Sequence, residues 1–226
     1  LARRPWWRQD PLRPQMYIPA FNRVNDAAKV NAFIHANSFA TLVTTGPEGP
    51  FASHLPFVYD ESEGGGRLRC HMARANEQWR HIESNPEVLC VFLGPHSYIS
   101  PSWYVAKVAV PTWNYAAVHV RGTAKLEDDA FLRKVIEDTT AKYESGMPNP
   151  WKMPIPEDYI ASMMRAIVGF SVQVTSVEAK FKLGQNRSLE DQMGALAGLE
   201  QSGSAQGLEL AKFIRSQGHL PPGTAP

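Results

Sequence analysis

Three strand-like runs, the first of them β-branched, joined by connections too short to hold a helix constrain this 226-residue chain more than any other feature. Phe39–Thr45, FATLVTT, is followed by Gly46-Pro47-Glu48-Gly49, which turns the chain back. Phe51–Tyr59 forms the second run, and the glycine- and acid-rich loop Asp60–Gly66 returns it to Arg67–Ala73. A parallel pair needs a crossover of roughly a dozen residues. The front of the chain is therefore an antiparallel meander.

Helices are predicted around it. Asp26 can cap a helix through about Asn37, with Val30, Phe33, Ile34 and Ala36 as its apolar stripe. Asn76 reads as the N-cap of a short helix ending near Asn85-Pro86, and Val88–Leu93 as an apolar strand. Thr123–Glu127 continues the sheet, and Asp128 opens a helix carrying Phe131, Leu132, Val135, Ile136 and Tyr143. Gly146–Pro156 is a proline-rich loop, a helix at about Glu157–Ala166 follows, and Val168–Val177 alternates as a last strand. Beyond Lys180 the composition shifts to polar helix and tail, with fraying expected at Pro221–Pro226. The sum is an α+β barrel with antiparallel connections, not a doubly wound sheet.

The aromatic stretch His96–Gly122 lies at the centre of this plan. Tyr98, Trp103, Tyr104, Trp113 and Tyr115 stand among Ser97, Ser100, Ser102, Thr112 and Asn114, with His96, Lys107 and His119 close in sequence. Aromatic faces beside short hydroxyl and amide groups suit a flat heteroaromatic ligand with polar edges; an aromatic-rich β core is the alternative reading. Pro101 and Pro111 interrupt any regular ladder. Tyr115, Ala117, His119 and Arg121 then face one way and Ala116, Val118 and Val120 the other, as in a half-buried strand.

Charge and motif content narrow the function classes. A formal net charge of +1 gives no electrostatic case for bulk binding of nucleic acid or an anionic membrane. No apolar run approaches a membrane span. Cys70 and Cys90 lack metal-ligand spacing and read as free buried thiols in a reducing cytoplasm. The seven histidines show no HExxH, and neither GxSxG, GxGxxG nor GxxxxGK[ST] occurs. Trp6, Trp7 and four arginines up to Arg13 make residues 1–15 a basic aromatic arm.

Three short motifs remain as candidate chemistry. Ser53 and His54 precede Pro56 and point to opposite faces of a strand, so at most one lines a given pocket. His54 could meet a ligand edge or be a satisfied strand histidine. His71, Arg74 and Asn76 sit where a strand gives way to a helix, a place where free N–H groups and a guanidinium make a phosphate seat, or simply a capped helix beside a solvated arginine. Lys180, Lys182, Gln185, Asn186 and Arg187 form a basic-amide patch; Ser188 and Asp191 fit a capping box, so this patch also reads as a solvated helix entry.

These residues resemble the PaiB-type FMN-binding negative transcriptional regulators. The resemblance is carried by Met16-Tyr17-Ile18-Pro19, Phe39–Thr44, Ser53-His54-Leu55-Pro56-Phe57, His71, Ala73-Arg74-Ala75-Asn76 and Gln78-Trp79-Arg80. It continues through Gly94-Pro95-His96, Tyr98–Tyr104, Val110–Tyr115, Val118-His119, Ala166–Phe170, Lys182-Leu183 and Gln185-Asn186-Arg187. Cys70, Glu77 and Gly184 depart from it, standing where glycine, proline and serine are usual.

The resemblance implies an antiparallel split β-barrel with flanking helices, like that of flavin reductases and pyridoxamine-phosphate oxidases. Residues 1–15 would be the arm, 16–187 the FMN-binding domain and 188–226 a C-terminal helical segment and tail. A cytoplasmic homodimer with FMN at the subunit interface is implied. The cofactor residues would be Ser53, His54, His71, Arg74, Asn76, Gln78, Trp79, Ser100, Ser102, Trp103, Lys107, Trp113 and Asn114. Negative regulation of gene expression is the implied role. A flavin-dependent oxidoreductase using NAD(P)H and a haem-binding barrel, with His54, His71, His96 or His119 as axial ligand, are the alternatives. No metal site, membrane partner or catalytic residue is assigned, and direct DNA binding is left open.

Overall fold

A computed structural model describes residues 15–62, 65–152, 155–218 and 220. The elements run α1 (Ala27–Ala36), β1 (Phe39–Gly46), β2 (Gly49–Pro56), β3 (Val58–Asp60), β4 (Arg67–Ala73), α2 (Gln78–Ser84), β5 (Glu87–Ile99), β6 (Thr112–Leu126), α3 (Asp129–Glu144), α4 (Glu157–Met164), β7 (Ile167–Lys182), α5 (Leu189–Gln201) and α6 (Ala205–Ser216). Most of the basic arm and Pro221–Pro226 fall outside the described residues. Among the described residues, no helix is long and apolar enough to cross a membrane.

The predicted strand Phe51–Tyr59 is two strands, and the break organises the sheet. Pro56 has no N–H to offer and closes the β1–β2 ladder opposite Phe39. Phe57 still donates its N–H to Ser38 O at 2.8 Å, and then Val58–Asp60 pairs with Arg67–Arg69 of β4 instead. The strand order is β2-β1-β5-β6-β7-β4-β3, so β2 and β3, one residue apart in sequence, are its two outer strands. A sheet whose two ends are joined by one residue must curl until those ends meet, as in a barrel.

The chain divides into two compact units. Among the described residues, one comprises 27–92 and 118–178, the other 15–26, 93–117 and 179–218, so the division cuts β5, β6 and β7 along their length. In the first unit, Phe57 is fully buried with Phe92 and Phe170, ring centroids 6.0 and 6.1 Å away. Leu42, Leu68, Met72, Val118, Val120 and Val172 continue this core, and Cys70 and Cys90 are buried and unbridged. Burial pushes both thiols well above their ordinary range, which leaves them protonated and unreactive. Val30, Phe33 and Ile34 bury the inner stripe of α1. Asp128 caps α3 by accepting from the Phe131 N–H at 2.9 Å, as predicted.

In the second unit, α5 and α6 pack through Leu196, Leu199, Leu210 and Ile214, where the sequence suggested one polar helix and a tail. Ser188 caps α5 by accepting from the Asp191 N–H. Two strands are longer than expected. β5 passes through Pro95 to Ile99, since the fixed φ of proline suits extended chain and only its N–H is lost. β7 runs on to Lys182, so Lys180 and Lys182 are strand residues and not a solvated helix entry. Lys180 is buried, donates to Tyr17 O at 2.9 Å and lies 5.3 Å from both the Tyr17 and Tyr115 rings.

Gly122 shows how closely β6 approaches β7 in the first unit. A Cβ there would stand 2.4 Å from the Gln173 carbonyl oxygen. Gly122→Ala should therefore destabilise the fold by about 1–3 kcal/mol, measured as a lower urea midpoint with an unchanged slope.

Candidate functional site

In the first unit the junction between β4 and α2 gathers several of the predicted site residues. The chain leaves the strand at Ala73, and Asn76 N–H bonds back to Ala73 O at 2.9 Å to make the turn. Asn76 is predicted as N-cap; α2 starts two residues on, but Asn76 Oδ1 does accept from the Gln78 N–H at 3.1 Å. The other half of the same amide donates from Nδ2 to Ser53 Oγ at 2.8 Å, tying the turn to β2.

Gln78 anchors the helix start. It is buried, and its Nε2 lies 3.1 Å from Leu42 O, 3.1 Å from Thr44 Oγ1 and 3.3 Å from Phe51 O. One side chain thus bridges α2, β1 and β2. Thr44 Oγ1 also meets His81 Nδ1 at 3.0 Å, and the His81 ring stands edge-on to Phe51 at 5.7 Å. Thr44 and His81 are absent from the predicted set. The signal was available in the sequence: His81 is three residues beyond Gln78, on the same face of a helix.

Arg74 and Trp79 flank this corner. The Trp79 indole N–H donates to Arg74 O at 3.0 Å, and the Arg80 guanidinium lies over its ring. Arg74 Nε donates to Arg165 O at 2.9 Å and Nη2 to Ile167 O at 3.2 Å, while the side chain as a whole is exposed. The backbone N–H groups of Arg74, Asn76, Gln78 and Arg80 all have acceptors. The junction is accordingly a tied corner with the Arg74 and Arg80 side chains exposed, and four of the N–H groups at the place the sequence offered as a phosphate seat or a capped helix already have acceptors.

His54 and His71 lie elsewhere in this unit. Ser53 and His54 do point to opposite faces: His54 is exposed, with Nδ1 3.0 Å from Thr41 Oγ1 and its ring 6.5 Å from Phe39. His71 is half-buried on β4, paired in register with Gly169, and its Nδ1 has no hydrogen-bond partner among the described residues. Burial holds its pKa below the ordinary histidine value.

The remaining predicted residues belong to the second unit, where most of them hold the chain in place. Ser100 caps the 3₁₀ turn Pro101–Trp103 by accepting from the Ser102 N–H at 3.2 Å, and the two hydroxyls are 2.7 Å apart. Trp103 fits a notch in α5: a Cβ on Gly198 would fall 2.2 Å from its indole, and one on Gly194 2.1 Å from its carbonyl oxygen. Just beyond, buried Asp191 accepts the N–H groups of Val105 and Ala106 at 2.9 and 3.0 Å, and Arg187 stacks on Tyr104 at 4.6 Å. Lys107 is exposed on the loop that follows, and Asn114 is buried. Trp113 remains half-exposed, its ring 6.4 Å from His96 and 6.3 Å from Tyr98, with Lys182 donating to its carbonyl oxygen at 2.8 Å.

Residues 16–176 match the family described as "Putative FMN-binding domain". The chain is 36% identical over 204 residues to "Protease synthase and sporulation protein PAI 2" of Bacillus subtilis, a match covering 89% of this chain and 98% of that protein. Among solved structures, the flavocytochrome Anf3 of Azotobacter vinelandii aligns with a TM-score of 0.56 at 17% identity, over 71% of this chain and 69% of that one. An FAD and heme binding protein of Mycobacterium smegmatis gives 0.56 at 12% identity, over 77% and 80%. The fold is thus the antiparallel split β-barrel expected from the sequence.

The histidines give a pH prediction. His71 is held below its ordinary value by burial, and His119 by burial and by the charge of Arg121. As pH falls below about 6.5, unfolded chains bind protons that these rings refuse in the fold, so stability falls with pH until the folded values are passed. Urea midpoints taken from about pH 7.5 to about pH 5.5 should decline, and the decline should be shallower in a His71→Gln, His119→Gln double variant.

Proposed function

The chain belongs to the FMN-binding family matched above, and from that premise we propose that it is a flavin-dependent negative regulator of gene expression that works as a homodimer. The observation that carries the flavin part is the hydrogen-bonded corner Ser53–Asn76–Gln78 with Arg74 and Trp79 beside it. Its donor set fits the group. A hydroxyl and an amide match the neutral polar edge of an isoalloxazine, an indole offers a stacking plane, and an exposed guanidinium suits a phosphate. In this reading Ser53 and Asn76 meet the ring edge, Trp79 its face and Arg74 the phosphate, while Gln78 positions them from below. When bound, FMN supplies a ring that accepts and returns electrons. The protein contributes placement and exclusion of water.

The dimer reading rests on the outer face of β2, β1 and β5. Register sets His54, Thr41 and Val91 in one row, with Phe39 64% exposed at the end of β1. This half-apolar surface, flanked by an exposed histidine, suits a second copy of the chain. The regulatory reading is supported by the B. subtilis relative, whose name ties it to protease synthesis and sporulation.

Asn76→Ala should weaken FMN roughly tenfold, about 1.4 kcal/mol, in a titration followed by flavin fluorescence; an unchanged affinity would place the ring elsewhere. Val91→Asp should shift the protein to monomer in sedimentation velocity if the outer face is the seam. In the host, deleting the gene should raise a discrete set of transcripts. The wild-type gene should restore them and the Asn76→Ala variant should not. Full restoration by a variant shown to have lost FMN would separate regulation from the flavin.

A further inference from the structure

Arg121 stands apart from the other half-buried arginines of the first unit. Arg67 and Arg69 are each closed by a carboxylate, Glu127 at 2.6 Å and Asp138 at 2.7 Å. Arg121 has no such ion pair among the described residues; its Nε, like that of Arg69, is buried without an acceptor, and here no carboxylate compensates. A guanidinium N–H removed from water and left without an acceptor costs stability, about 1–3 kcal/mol by analogy with other buried donors, and calls for an explanation. Its backbone is held firmly. Thr175 Oγ1 donates to Arg121 O at 3.2 Å, and the following Gly122 lies tight against Gln173. The positive charge also reaches His119, two residues back on the same strand face.

The side chain lines a cleft of about 280 Å³ together with Val43, Thr45, Asn85, Glu87, Val88 and Leu89. None of the residues assigned to the flavin lines it. The volume is at the small end of ligand sites, which suits a molecule of a few carbon atoms. Val43 and Leu89 supply an apolar wall. Asn85 Oδ1 already accepts from the Glu87 N–H at 3.3 Å, so the remaining group of its amide is a donor. Thr45 adds a hydroxyl. Glu87, whose Oε1 accepts from Thr123 Oγ1 at 3.1 Å, puts one carboxylate in the lining. That negative charge opposes a dianion but tolerates a single carboxylate seated on the guanidinium.

We propose that this cleft is a second ligand site, which takes a short aliphatic monocarboxylate with its carboxylate on Arg121 and its tail on Val43 and Leu89. The fork geometry of arginine matches a carboxylate with two parallel hydrogen bonds, which also supplies the missing acceptor for Nε. The site would let the protein sense a small organic acid independently of its flavin.

The test is an NMR titration of the full chain, loaded with FMN, using butyrate as the probe. Saturable shifts of the Arg121 Nε–H signal and of the Val43 and Leu89 methyl groups are expected. Affinity should fall at least about tenfold in Arg121→Gln, with Arg121→Lys as a second variant that keeps the charge and loses the fork. Absence of saturable shifts up to about 50 mM overturns the proposal, as does equal affinity in either variant. Tighter binding of inorganic phosphate than of butyrate overturns the assigned ligand class. Displacement of butyrate when FMN is added to flavin-free protein would make the cleft part of the flavin seat and end the claim of a second site.

Discussion

The joint at Phe57 is the constraint on which the sheet depends. Pro56 ends one ladder because it has no N–H, and one residue later the chain begins another ladder at the opposite end of the strand order. Only a closed sheet satisfies both pairings. The residue at the joint is then forced inward, and a phenylalanine fills that position against Phe92 and Phe170. Closure and core are therefore one event. The proline fixes where pairing must change, and the aromatic ring supplies the burial that holds the change in place.

Closure also explains why the corner at Asn76 can be precise. Ser53 and Phe51 belong to β2, Leu42 and Thr44 to β1, and Gln78 reaches both strands from the first turn of α2. A buried amide that bridges three backbone segments is costly to break, because each partner left behind would be an unsatisfied polar atom. The helix start is thereby fixed relative to the hairpin by side-chain hydrogen bonds and not by apolar packing alone. Residues on its outward side, Arg74 and Trp79, inherit that placement while remaining accessible.

Much of the fold could be read from the sequence, because turns and period-two alternation are local properties. The hairpin at Gly46–Gly49, the cap at Asp128 and the alternation of Tyr115–Arg121 are each decided by a few neighbouring residues. The split at Phe57 was not legible as such. A proline signals the end of a ladder, but which strand pairs next depends on contacts far along the chain. The lengths of β5 and β7 were hidden for the same reason: Pro95 and the two lysines look like terminators, and tertiary partners carry the strands past them.

The candidate site shows the limit more clearly. Composition marked His96–Gly122 as a ligand platform or an aromatic-rich core, and within it Trp103 fills a notch cut by Gly194 and Gly198 while Tyr104 lies under Arg187. Aromatic rings beside serines serve packing and recognition equally well, and sequence alone does not distinguish a ring facing a ligand from one facing a helix that arrives nearly a hundred residues later. Glycines at i and i+4 on α5 are the complementary signal, since they clear one helix face for something large. The same ambiguity runs in reverse for Arg121, which reads as an ordinary strand arginine until its missing carboxylate is noticed. What distinguishes a functional arginine from a structural one is the partner it lacks, and a lacking partner can be recognised only after every other charge has been placed.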